Sequence, residues 1–143
     1  MTQLSTFFTL EEMLHSQVAA RKPIANLPSA DEFLTLQATA KRMDEVRRLL
    51  CAPVLVSSGY RSAELNRAIG GSKTSSHMRG EAVDFTCPGY GSVRRVFDRI
   101  RSSGIKFDQL IFECGEWVHI GFGPKMRGEV LVFDGKTYTK EKP

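Results

Sequence analysis

The separation of helix signals from strand signals along the chain constrains the fold most strongly. Two capping boxes, Thr9 with Glu12 and Ser29 with Glu32, mark helix starts in the first third of the chain. Short apolar and alternating runs, which are typical of strands, cluster after residue 80. This order predicts an α+β fold with a mainly antiparallel sheet flanked by helices.

Helices are predicted where apolar residues recur every three to four positions behind a capping residue. The longest follows Ser29, carries apolar positions from Phe33 to Leu50, and ends before Pro53. Shorter helices are predicted at 9–16, 62–69 and 92–104. Residues 21–28 contain two prolines and predict an ordered loop.

Six further runs predict strands, at 54–56, 81–85, 109–113, 117–122, 130–133 and 136–138. The first of these runs is wholly apolar, so we expect it to be a buried strand. Asp134 and Gly135 separate the last two runs and predict a hairpin with a type I′ turn. We expect the tail, residues 139–143, to be loosely held.

The composition is that of an ordinary globular chain, with 41% hydrophobic and 25% charged residues among 143. This length predicts a single domain over residues 1–143, with a core large enough to fold without disulfides. The three cysteines, Cys51, Cys87 and Cys114, are odd in number and lack CxxC spacing. They therefore argue against a disulfide framework or a thiolate zinc module, and we expect Cys51 to be a core residue.

The formal net charge of +4 favours a polyanionic partner, whether a nucleic acid, an anionic lipid or a bacterial wall polymer. No nucleic-acid recognition motif and no apolar stretch of about 18 residues is present, so we expect neither nucleic acid nor a membrane as partner. The N-terminus, MTQLSTFFTLEEM, lacks a basic start, a long apolar centre and a small-residue cleavage site. We therefore expect synthesis in the cytoplasm without a signal peptide.

Two histidines and one aspartate form the strongest candidate site. His77 ends a polar loop, Asp84 lies seven residues later in a predicted strand, and His119 lies in another strand that antiparallel pairing would bring beside Asp84. Two imidazoles and a carboxylate are a common catalytic zinc set, because they leave a fourth position open for water. A histidine flanked by apolar residues is also typical of a buried structural histidine, so the spacing alone leaves both interpretations open.

Several short motifs strengthen the metal interpretation: SSGYRS at 57–62, LN at 65–66, GG at 70–71, SxHxxGxAxD at 75–84 and WVH at 117–119. Together they resemble the LAS-type zinc peptidases of bacterial cell walls. That group includes the zinc D-Ala-D-Ala carboxypeptidases, the vancomycin-resistance dipeptidases, several phage endolysins and, more distantly, the hedgehog signalling domain. The resemblance extends from about Phe8 to Phe122.

The resemblance implies that His77, Asp84 and His119 bind a catalytic Zn²⁺. It also implies that Arg61, in the SSGYRS motif, stabilises the oxyanion and binds the substrate carbonyl. Ser75, two residues before the first metal ligand, matches a serine near the substrate.

Two glutamates are candidates for the catalytic base. Glu116, three residues before His119, matches the ExxH spacing of the carboxypeptidases and dipeptidases in this group, whereas Glu113, six before it, matches the hedgehog domain. In an unbroken strand Glu113 shares the face of His119 and Glu116 points away. A turn at Cys114 and Gly115 would instead let Glu116 swing in. We favour Glu113 and keep both as candidates.

The function implied by the resemblance is zinc-dependent hydrolysis of peptidoglycan stem peptides, as a D-Ala-D-Ala carboxypeptidase or an endopeptidase. The expected setting is a phage or prophage lysin, or a virion-associated murein hydrolase, that reaches the cell wall after release and acts as a monomer. The competing hypothesis is a non-catalytic, zinc-containing binding or structural protein on the same scaffold. A candidate base before His119 argues against it, because a purely structural zinc usually has four protein ligands.

Overall fold

The computed structural model describes residues 2–142. Its helices are α1 (Leu10–Leu14), α2 (Gln17–Arg21), α3 (Ala30–Leu50), α4 (Ala63–Ala68) and α5 (Val93–Arg101), together with a 3₁₀ helix at Ser76–Arg79. Its strands are β1 (Leu55–Ser58), β2 (Ala82–Thr86), β3 (Gln109–Glu113), β4 (Trp117–Gly121), β5 (Glu129–Phe133) and β6 (Tyr138–Glu141).

The helices begin where the sequence places capping side chains. The Thr9 and Ser29 side chains each accept a hydrogen bond from the backbone N–H of a glutamate three residues on, and the carboxylate of that glutamate accepts one from the cap backbone N–H. Ser62 and Ser92 cap α4 and α5 in the simpler way, each with a hydroxyl that accepts one backbone N–H. These caps satisfy N–H groups that a helix start leaves without partners.

The six strands form one sheet in the order β1-β2-β4-β3-β5-β6. All neighbouring pairs are antiparallel except β3 and β5, which are parallel. The predicted α+β class with a mainly antiparallel sheet is therefore confirmed. Within residues 2–142, none of the helices combines the length and apolar character that crossing a membrane would require.

The two faces of the sheet serve different purposes, because side chains alternate along each strand. Val83 and Phe85 of β2, with Val118 and Ile120 of β4, belong to the hydrophobic core shared with α3 and α5. Asp84 and His119 lie at the alternate positions and face the other way. The core thus fixes β2 and β4 rigidly behind the polar residues of the opposite face.

Three local predictions for the first half of the chain were wrong. The predicted loop at 21–28 begins inside a helix, since Ser16 caps α2 over Gln17–Arg21. The first strand is shifted to Leu55–Ser58 and lies at the sheet edge, where Leu55 is 52% exposed, so it is not buried. Cys51 is exposed rather than in the core, because it leaves α3 in the left-handed conformation.

The tail is also more ordered than the composition predicts. Residues 138–141, not the predicted 136–138, pair with β5 as strand β6, and a four-residue loop at 134–137 replaces the predicted type I′ turn because Asp134 does not have the positive φ that this turn requires. Glu141 accepts hydrogen bonds from Arg94 at 3.2 Å and from Arg101 at 2.7 Å, which ties this strand to α5. Pro143 lies outside the described residues.

Candidate metal centre

The pairing of β2 with β4 brings Asp84 directly opposite His119. Antiparallel partners point to the same face, and Asp84 Oδ1 lies 2.8 Å from His119 Nδ1. His77, from the 3₁₀ helix, places its Nε2 atom 3.2 Å from the same oxygen. The three donor atoms lie within 4.8 Å of one another, and their side chains are buried or nearly so.

The turn between His77 and Asp84 depends on Gly80. This glycine has a φ of +74° and ends the 3₁₀ helix. A Cβ atom there would lie 3.0 Å from the carbonyl oxygen of Glu32 in α3, and Thr39 of the same helix donates a hydrogen bond to the Gly80 carbonyl at 2.7 Å. The chain therefore reverses tightly against α3 and enters β2 in the correct register.

The orientation of the His77 ring is set by a backbone carbonyl. Nδ1 of His77 lies 2.7 Å from the carbonyl oxygen of Gly59, and a carbonyl can only accept, so Nδ1 carries the proton. Burial lowers the pKa of His77 and favours the neutral ring. The Nε2 lone pair then faces the Asp84 oxygen at 3.2 Å, an arrangement that needs a cation to be stable.

This donor set fits a zinc ion. Imidazole nitrogen and carboxylate oxygen are zinc ligands, and two ligands about 2.0–2.1 Å from a tetrahedral centre lie about 3.3 Å apart. The distances from Asp84 Oδ1 to the His77 and His119 nitrogens are 3.2 and 2.8 Å. Three protein ligands leave one position open, as catalytic zinc sites do.

Arg61 lies beside the cluster and is held by Ser75. Its Nη2 atom donates to Ser75 Oγ at 3.2 Å, and the same hydroxyl caps the 3₁₀ helix by accepting from the His77 N–H. Burial lowers the pKa of Arg61, while the nearby carboxylates of Asp84 and Glu113 oppose that shift. Its Nε atom is buried without a hydrogen-bond partner among the described residues. The guanidinium therefore retains donor capacity beside the cluster.

Asn26 fixes the loop that carries Arg61. Its Nδ2 atom donates to the carbonyls of Leu14 and Tyr60 at 2.9 and 3.0 Å, and its Oδ1 accepts from the Ser62 N–H at 2.7 Å. The side chain is buried, at 9% exposure. Asn26 lies in the predicted loop at 21–28, and nothing in its sequence neighbourhood identifies the distant backbone groups that it contacts.

The structure places the two candidate bases differently. Glu113 pairs with Trp117 across β3 and β4, which gives it the face of His119, and it lines the same cavity as the cluster. Burial raises the pKa of the Glu113 carboxyl, and the Asp84 charge adds to the rise against the opposing effects of His119 and Arg61. Glu116 is exposed in the turn that begins at Cys114 and does not line the cavity.

All of the candidate residues except Glu116 line one cavity of about 450 Å³. Asp108, Arg127 and Tyr138 also line this cavity, and the sequence does not identify them as site residues. Tyr138 stacks on Phe133 with 4.3 Å between ring centroids. Arg127 and Tyr138 come from the segment after β4, whose sequence carries no recognisable site motif, so only the folded sheet brings them here.

Comparison with known families adds independent evidence. The family model described as Peptidase M15 matches residues 6–121, which is most of the chain. The chain belongs to the peptidase M15 family. No curated protein matches this M15 chain. All seven predicted site residues lie inside the matched range, whereas β5 and β6 follow it.

Membership in peptidase M15 makes the protein a metallopeptidase by family, and the family is zinc-dependent. The suspected resemblance to the LAS-type zinc peptidases is thereby confirmed. The His-Asp-His cluster is a group of described residues with which an M15 chain can bind a metal ion.

Proposed function

We propose that this M15 chain is a zinc-dependent peptidase that hydrolyses the stem peptides of peptidoglycan. The observation that carries the proposal is the convergence of one ligand atom each from His77, Asp84 and His119 within 4.8 Å, in the cavity that Arg61 and Glu113 also line. A metal-ligand set, a carboxylate and a cation in one cavity are the groups that peptide hydrolysis needs.

His77, Asp84 and His119 are the residues that would hold the ion. When bound, zinc supplies Lewis-acid activation of the scissile carbonyl and of the attacking water. The Gly59 carbonyl keeps the Nδ1 proton of His77 away from the cluster, which leaves Nε2 free as a donor atom. The hydrophobic core behind β2 and β4 keeps Asp84 and His119 in register.

Glu113 is the proposed general base. Its carboxylate would accept a proton from the attacking water and return that proton to the amine that leaves. Partial burial favours the protonated form of the carboxyl and so raises its basicity, which suits a group that must accept and then donate a proton. Glu116, exposed in its turn, is the alternative that the variants described in the Discussion test.

Arg61 is the proposed oxyanion stabiliser. Its guanidinium would donate to the carbonyl oxygen of the scissile bond as negative charge develops there, an effect worth roughly 3–4 kcal/mol in other enzymes. Ser75 holds Arg61 through the 3.2 Å hydrogen bond to Nη2 and is therefore a positioning residue. The Nε–H of Arg61 has no acceptor among the described residues, and this free donor supports the role.

The proposal extends to the biological setting. A phage or prophage lysin, or a virion-associated murein hydrolase, would act on the cell wall after release, as a monomer with zinc. The net charge of +4 supports an attraction to the anionic polymers of the wall.

The test is to incubate zinc-loaded protein with isolated peptidoglycan stem peptides and to identify the products by mass spectrometry, with His77→Ala as the control. We expect hydrolysis by the wild type and none by the variant. If the zinc-loaded wild type cleaves no stem peptide across a range of pH, the enzymatic function is wrong and the non-catalytic hypothesis takes its place.

A further inference from the structure

A second cavity adjoins the first one at the His77-Asp84-His119 cluster. Its volume is about 650 Å³, and Arg61, Asp84 and Trp117 line both cavities. We infer that an extended peptide crosses the cluster from one cavity into the other, so that the chain is an endopeptidase whose second cavity binds a carboxylate-bearing residue. This inference rests on the proposed function and specifies its substrate class.

The first cavity is polar and its peripheral cations already have partners. Arg79 pairs with Glu81 at 2.8 Å, and Arg127 pairs with Asp108 at 2.9 Å. Hydroxyl groups of Ser72, Thr74, Ser75 and Ser76 add to its lining. This side suits the backbone of a peptide, which needs hydrogen bonds more than net charge.

The second cavity has a different character and continues outward. Val18, Val56 and Ile69 give it apolar walls. Val18, Arg21 and Ile69 also line a third cavity of about 400 Å³, so the groove extends along α2 and α4. A carboxypeptidase that releases one residue needs space for about one residue beyond the scissile bond. Here both sides of the cluster offer volumes within the usual range of about 300–1,000 Å³ for ligand pockets.

Arg21 gives the second cavity its charge. Among residues 2–142, Arg21 forms no ion pair within 4.0 Å, and its Nε atom donates only a long, 3.4 Å hydrogen bond to the Gln17 carbonyl. Asp84 is the one carboxylate among the described residues of the lining, and it belongs to the metal cluster. A guanidinium free of acidic partners at this position fits a substrate carboxylate.

Identifying the bond that the protein cleaves tests the endopeptidase assignment. The substrates are cross-linked muropeptide dimers and stem pentapeptides with either a free or an amidated C-terminus, and the products are identified by mass spectrometry. We expect internal cleavage with at least two residues on each side, and a change in kcat/KM of less than about twofold on amidation. Release of a single C-terminal residue that amidation abolishes would overturn the inference.

Arg21→Gln tests the carboxylate subsite, with Arg99→Gln on α5 as a matched loss of charge outside the cavities. We expect Arg21→Gln to raise KM about two- to fivefold for a peptide with a carboxylate on that side, with kcat unchanged and no effect when that carboxylate is amidated. Equal KM values for Arg21→Gln and Arg99→Gln would show that Arg21 does not bind a substrate carboxylate.

A binding measurement separates this inference from the proposed function. Calorimetry with Glu113→Gln compares a stem peptide extended on both sides with peptides that lack either half. Tighter binding of the full peptide supports the crossing path even if no hydrolysis is found, whereas equal binding of a one-sided peptide overturns it. Absence of hydrolysis by the zinc-loaded wild type contradicts the proposed function and the endopeptidase activity that rests on it, and the binding result then decides the crossing path.

Discussion

The Nδ1 atom of His77 and the carbonyl oxygen of Gly59 lie 2.7 Å apart, and this contact leaves Nε2 as the ring nitrogen that faces Asp84. Gly59 can present its carbonyl there only because it has no side chain. A Cβ atom at this position would lie 2.5 Å from the carbonyl oxygen of Met13 in α1. The close approach of two backbones therefore orients a proposed metal ligand.

We predict that Gly59→Ala weakens zinc binding, because the clash with Met13 must displace the carbonyl that orients His77. Loss of such an outer contact typically costs about 10- to 100-fold in metal affinity. The measurement is competition with a chelating dye. Gly91→Ala is the control, since a Cβ atom there meets only the flexible side chain of Arg95. Unchanged affinity in Gly59→Ala would show that the carbonyl contact does not orient the ligand.

Glu113→Gln and Glu116→Gln form the test of the base. We expect Glu113→Gln to lower kcat by about 10²- to 10⁴-fold with zinc retained, because the variant cannot accept a proton. Glu116→Gln should keep activity close to that of the wild type, since this side chain is exposed in the 114–116 turn. If Glu116→Gln alone abolishes turnover, the base has been assigned to the wrong glutamate.

Asn26→Ala should destabilise the fold and the Arg61 loop together. The substitution removes three hydrogen bonds and leaves the buried carbonyl of Tyr60 and N–H of Ser62 without this partner. We expect a loss of about 2–4 kcal/mol in the free energy of unfolding, measured in urea. Ser102→Ala is the comparison, because its hydroxyl makes one exposed bond to Arg99. Equal stabilities of the two variants would contradict the anchoring role.

Arg127→Gln tests a pH-dependent contribution to stability. Hydrogen bonds from the Arg127 side chain hold the pKa of Asp108 below its usual range, against the effect of burial. A carboxyl group whose pKa is lower in the folded state stabilises the fold at pH values above its unfolded pKa of about 3.9. This contribution is lost as the pH falls through the folded-state pKa. We expect the variant to be less stable by about 0.5–1 kcal/mol at pH 7, with the difference shrinking as the pH falls below about 3.9 and disappearing once Asp108 is protonated in the folded state as well.

The control for that series is Lys106→Gln, which removes one exposed positive charge that forms no ion pair among the described residues. Urea unfolding of both variants and the wild type at several pH values supplies the data. A stability difference between Arg127→Gln and the wild type that does not change with pH would exclude the Asp108 carboxylate as its source.

Local signals in the sequence predict the helix starts well. The reciprocal bonds of Thr9 with Glu12 and of Ser29 with Glu32 form within four residues, so tertiary structure is not needed to anticipate them. Strand β6 could not be predicted in this way. Its Glu141 accepts hydrogen bonds from two arginines of α5 that lie 47 and 40 residues away in sequence, and its backbone pairs with β5.

The sequence also predicts some residues of the candidate site and not others. His77, Asp84 and His119 stand out in the sequence because they lie in the SxHxxGxAxD and WVH motifs and carry side chains of the types that bind zinc. The Gly59 carbonyl is a backbone group that every residue has, and Tyr138 reaches the cavity only through the pairing of β6 with β5. Residues of α2 likewise line the second cavity, and the sequence does not predict this helix, because the prolines that follow it indicate a loop.

The metal content of purified protein tests the central claim most directly. Zinc would be measured by elemental analysis after dialysis, in the wild type and in His77→Ala, His119→Ala and His15→Ala, since His15 is the one histidine outside the cluster. The proposed ligand set predicts about one equivalent in the wild type and in His15→Ala, and a loss of most of it in the other two variants. One full equivalent retained by His119→Ala would contradict the proposed centre.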